Sequence, residues 1–162
     1  MKVALNDALV SSDDRSKHVA SLARHRHIFL DPDTGIKIEP FKGAKPVNYV
    51  FGPELVELCK QLSECLLLVF DQSVPRGSER THIAKKLSYF RQRNIFGFAY
   101  VSHACFVVLS QSESSCQAAR EQLLKSHLPQ SRLVDADEAC EANASFDGLT
   151  ARNDLKHHMA RR

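Results

Sequence analysis

The run Leu66-Leu67-Leu68-Val69-Phe70 is apolar at every position and ends in Asp71-Gln72. Side chains alternate across a strand, so a strand with no polar position needs cover on both faces of its sheet. The run is too short to be read as a helix, and the segments around it supply the cover. Gly52-Pro53 opens a helix, proline being favoured in the first turn. Leu55, Val56, Leu58, Cys59 and Leu62 form its apolar stripe. After a Pro75/Gly77 loop, Ser78 caps a helix over residues 79–92, with Ile83, Leu87 and Phe90 on its buried side.

The remaining pattern continues this alternation. Ser11-Ser12-Asp13-Asp14 starts a helix that reaches about Arg24. His27–Leu30 reads as a short strand, and residues 36–51, with Pro40, Gly43 and Pro46, as an irregular segment with a short strand at Ile36–Ile38. Ile95–Val101 and Ala104–Leu109 are two strands joined tightly enough to pair as a hairpin. A helix from Ser114 or Ser115 to Ser126 and a short strand at Arg132–Val134 follow. The expected fold class is α/β: a mainly parallel sheet of four or five strands, helices on both faces, and an antiparallel edge hairpin. Residues 1–139 form the one domain that a chain of 162 residues allows, and 140–162 a loosely held or partner-docking tail.

Hydrophobic residues make up 43% and charged residues 25%, the balance of a globular chain. A net charge of +3 does not by itself point to nucleic acid. None of the five cysteines forms a C-x-x-C pair, which argues against a zinc ribbon. No signal-peptide pattern opens the chain, and no apolar run approaches the ~20 residues of a membrane span. The expectation is a reduced, cytoplasmic, non-membrane protein.

Candidate chemistry gathers at predicted strand ends, where open α/β sheets bind ligands. Asp31 and Asp33, in Asp31-Pro32-Asp33-Thr34-Gly35, lie two apart and so point to one side. They suit a shared Mg²⁺, or a nucleophile and acid as in a Mg-dependent phosphohydrolase; the alternative is an Asx-type turn with Gly35 at positive φ. His103 is the candidate general base, or else a histidine that closes the hairpin. Gln72, Arg76 and Arg80 lie where a loop enters a helix N-terminus, a place that favours anions such as a nucleotide phosphate. The same helix carries Lys85, Lys86 and Arg91, with Tyr89 between them, which suits either nucleic acid or plain solvation. His25 and His27 lie too far along the chain to join the acids, ~20 Å from residue 25 to residue 31 when extended. Exposed edge strands would pair with a second copy as a homodimer.

"FLDPDTGI", "LLLVFDQSVPR" and "YVSHACFVVL" together resemble a group of bacterial and phage hypothetical proteins. Those carry an F-L-D-P-D-T/N-G segment, a strand ending near V-Y-Q-H and a closing S-H-x-A-F-F strand. The likeness covers about residues 27–110. It departs at the second motif, where Phe70 replaces the usual tyrosine, Ser73 the usual histidine, and Asp71 is inserted. The order is also similar to the second half of class I methyltransferases, with Asp31-Pro32-Asp33 in the slot of their Asp-Pro-Pro-like motif. The chain has no Gly-x-Gly, so S-adenosylmethionine is not expected to bind. Nor is there the Gly-x-Ser-x-Gly of a serine hydrolase elbow. Three readings follow: a mobile-element-linked protein binding or acting on nucleotide or nucleic acid; a non-catalytic, degenerate methyltransferase-like interaction protein; and a Mg-dependent phosphohydrolase.

Overall fold

The computed structural model describes residues 15–24, 27–38, 48–62 and 64–137. The expected helix start at Ser11–Asp14, His25, the Pro40/Gly43/Pro46 segment and the 140–162 tail lie outside the described residues. The elements are α1 (Arg15–Leu22), β1 (Ile28–Leu30), β2 (Gly35–Lys37), β3 (Tyr49–Phe51), α2 (Gly52–Gln61), β4 (Leu67–Asp71), α3 (Glu79–Arg91), β5 (Phe96–Val101), β6 (Cys105–Ser110), α4 (Glu113–Lys125) and β7 (Leu133–Asp135). A 3-10 turn, Gln130–Arg132, leads into β7.

The class is α/β, and the main sheet has five strands in the order β1-β4-β6-β5-β7. It is not mainly parallel. Only β1 and β4 pair parallel, while β4–β6, β6–β5 and β5–β7 are antiparallel. The hairpin decides this. Its connection is Ser102–Ala104, too short for anything but an antiparallel return. The returning β6 settles beside β4, so the hairpin lies inside the sheet and not at its edge. A second, two-stranded parallel sheet pairs β2 with β3, in a stretch that composition marks as irregular.

Strand alternation sorts the side chains onto two faces. One face carries Ile28, Leu67, Val69, Val107, Leu109, Ala99 and Val134, all buried, and packs against the apolar sides of α2 and α3. The other carries Phe98 and Leu133, covered by Cys116, Ala119, Leu123 and Leu124 of α4. Ser112 caps α4, its Oγ accepting from the Ser115 N–H at 3.2 Å. Ser112→Ala is expected to cost about 1 kcal/mol, measured as a lower urea midpoint at unchanged m-value. At the chain's start, Arg15 of α1 is bound to Glu54 of α2 and to the Tyr49 carbonyl. Glu54 also accepts from the Phe51 N–H at 2.8 Å, which fixes the entry into α2.

Candidate functional site

β1, β4 and β5 run in one direction, because β6 lies antiparallel between β4 and β5. Their carboxyl ends therefore share one rim, which brings together the Asp31–Gly35 turn, Gln72 and the His103 loop. Asp31, Asp33, Gln72, Arg76 and His103 are all exposed there. The turn is laid across the end of β4 by its backbone: the Gln72 N–H donates to the Thr34 carbonyl at 3.1 Å, and the Thr34 N–H to the Asn48 carbonyl at 2.8 Å. Gly35 takes a φ of +132°. Among the described residues neither Asp31 nor Asp33 engages a hydrogen bond or a cation, so no Asx bond holds the turn. Nor do three or more His, Cys, Asp or Glu side chains gather to hold a metal ion among the described residues.

Beneath the rim lies a buried cluster that motif reading does not reveal. Asp71 is fully buried. Its Oδ1 accepts from the Ile36 N–H at 3.2 Å and the Ser73 N–H at 3.0 Å, and lies 2.7 Å from Ser73 Oγ. Its Oδ2 accepts from Lys86 Nζ at 2.5 Å. Lys86 also donates to Ser73 Oγ at 2.8 Å, and Ser73 Oγ lies 3.0 Å from the Ile36 carbonyl. Burial holds the Lys86 ammonium below its ordinary pKa, against the opposing pull of Asp71. Cys105 faces Asp71 in register, and burial, then the Asp71 charge, push its thiol up to about 11. The cluster fastens β2 to the end of β4, and its Asp71, Ser73 and Lys86 side chains all have partners. The signal was present in the sequence: Lys86 falls within the Ile83/Leu87/Phe90 stripe, where a charge needs a buried partner.

The arginines divide. Arg80 donates to the carbonyls of Ser131, at 2.6 Å, and Leu133, at 2.8 Å, so its guanidinium holds the entry to β7. Backbone N–H groups of Glu79 and Gly77 hold the Glu79 carboxyl below its usual range, so α3 caps its own positive end with an acid. An incoming anion would compete with it. His27 Nδ1 accepts from the Leu66 N–H at 3.2 Å, a strand-entrance role.

The part of the second sheet face that no described residue covers is the other distinctive surface. The all-apolar sequence of β4 calls for burial on both faces, yet Leu68 and Phe70 are only half-buried. Phe29 stands opposite Leu68, Leu68 opposite Val108, and Phe70 opposite Phe106. Phe70 and Phe106 touch, with ring centroids 5.1 Å apart. Helix α4 covers β5, β7 and the Val108 side of β6, and stops there. Phe29 is left 56% exposed. Known families, curated proteins and solved structures were compared with this chain, and none matches. The surface chemistry therefore carries the reading alone.

A cavity of about 280 Å³ lies at the opposite end of the sheet, between α4 and the start of β5. Its cations are already matched. Arg120 pairs with Asp135 at 2.9 Å, and Arg91 stacks over Phe96 and meets Glu113 at 3.6 Å. No helix among the described residues is long and apolar enough to cross a membrane.

Proposed function

We propose that this protein is a non-catalytic interaction protein that docks a partner on the half-covered face of its sheet. The observation that carries this is the strip Phe29, Leu68, Phe70 and Phe106, with Phe29 the most exposed large apolar side chain among the described residues. Single exposed apolar residues are ordinary, but an exposed phenylalanine in register with half-buried apolar neighbours on one sheet face marks a docking surface. The rim supports catalysis less well. Asp31, Asp33 and His103 stand in solvent, the helix end that would take a phosphate holds Glu79, and Arg80 is engaged elsewhere.

Phe29→Lys tests the reading because its two expected effects diverge. The side chain is mostly in water, so stability should change by no more than about 0.5 kcal/mol. Docking should be lost, since a lysine in the middle of an apolar contact leaves a charge desolvated. A photo-cross-linker placed at position 29, compared with one at Arg91, should trap a partner only from position 29, and Phe29→Lys should abolish direct binding of that purified partner. Equal trapping at both positions would sink the proposal.

A further inference from the structure

Resting on that docking reading, we infer that the partner is a basic amphipathic helix, lying beside α4 in a slot over β1 and β4. Width argues for a helix. Strands lie about 4.8 Å apart and a helix is about 10 Å across, so a five-stranded sheet takes two helices on a face. Among the described residues one face has two, α2 and α3, while the other has α4 alone, over β5 and β6. Among the described residues the bare half is one helix wide, walled on one side by α4 and open on the other at the β1 edge.

A second copy of this chain fits the slot poorly. Its sheet cannot lie flat there, because α4 rises about one helix diameter above the same face. Nor can its α4 fill the slot, since the outward side of that helix is polar, with Gln117 donating to Glu121 at 3.2 Å. The β1 edge has three residues, too few for a stable strand-to-strand seam.

Charge gives the partner its sign. Asp31 and Asp33 follow directly on β1, exposed and engaging no cation among the described residues, at the mouth of the slot. Glu54, Asp71 and Asp135, by contrast, are matched by Arg15, Lys86 and Arg120. Two unmatched carboxylates beside an aromatic strip suit a helix with leucine on one face and lysine or arginine flanking it. The Asp-Pro-Asp motif then acts as an electrostatic gatepost.

The test uses the full chain and two designed peptides of equal length, one a leucine–lysine amphipathic helix and one a leucine–glutamate helix. At low salt the lysine peptide should bind roughly tenfold tighter, the size expected of two exposed charge pairs. Amide shifts should concentrate at Phe29, Leu68, Phe70 and Phe106. Asp31→Asn with Asp33→Asn should bring the two peptides level, and Phe29→Lys should abolish both. If the peptides bind equally and Phe29→Lys still abolishes both, the basic-partner inference fails and the docking reading stands. If neither binds, the helix inference fails and the docking reading is decided by the position-29 cross-link; if the peptides bind and Phe29→Lys changes nothing, they bind elsewhere and the inference fails. A cross-link from position 29 into the chain's own residues 1–14 or 138–162, or into a second copy, overturns the inference by naming another occupant.

Discussion

Asp71→Ala is expected to cost about 3–5 kcal/mol, the loss typical of removing one partner of a buried ion pair. That is a large part of the roughly 5–15 kcal/mol that holds a domain together. The alanine leaves the Lys86 ammonium buried with only Ser73 Oγ, and leaves the Ile36 and Ser73 N–H groups without their acceptor. Replacing both charges, Asp71→Leu with Lys86→Met, should cost less than Asp71→Ala alone, because no orphan charge remains. Urea unfolding of the single and double variants measures the difference. A single-variant loss below about 1 kcal/mol would mean the pair is not sealed from water. The pH dependence has a definite sign. Burial already lowers the pKa of Lys86 from its ordinary 10.5, and removing Asp71 takes away the group that opposes this. Between the depressed folded value and 10.5 the unfolded chain holds a proton that the folded chain has shed. Stability of Asp71→Ala should therefore rise as pH climbs through that window.

Local periodicity reads well in this chain and long-range order does not. Proline at the start of α2, the Ile83/Leu87/Phe90 stripe and the two strands around Ser102-His103 place α2, α3, β5 and β6 to within a residue or two. Element order alone suggests a parallel sheet, and order does not say which strand lies beside which. Inserting β6 between β4 and β5 reverses most pairings without altering a single local signal. The shared rim survives that change because strand direction, unlike adjacency, is the same in both arrangements. Leu68 and Phe70 show the other limit. An all-apolar strand announces that both faces want cover, but not which element supplies it, and among the described residues none covers the Leu68 and Phe70 side. Lys86 looks like one more solvent-facing base until its position in the apolar stripe is weighed against Asp71.

Gly35→Ala is the second large effect, and it couples to the first. At a φ of +132° an alanine is strained wherever it sits, and here its Cβ would also fall 2.1 Å from Asp71 Oδ1 and 3.0 Å from the Gln72 nitrogen. Backbone strain of about 1–3 kcal/mol and a similar cost of overpacking put the total near 2–6 kcal/mol. The two parts can be separated. In an Asp71→Ala background the nearest clashing atom is gone while the strained φ remains, so Gly35→Ala should cost less there by roughly 0.5–3 kcal/mol, the usual range for directly coupled neighbours. Urea unfolding of the four proteins closes that cycle. Full additivity would show that the carboxylate moves aside freely, which the donors on Asp71 Oδ1 argue against. The same glycine lets the turn after β1 fold tightly over β4, and so holds Asp31 and Asp33 at the mouth of the slot. A Gly35→Ala protein kept folded at low temperature should retain binding of the leucine–glutamate helix through Phe29 and lose the preference for the lysine peptide. Loss of apolar binding as well would show that the turn shapes the strip itself.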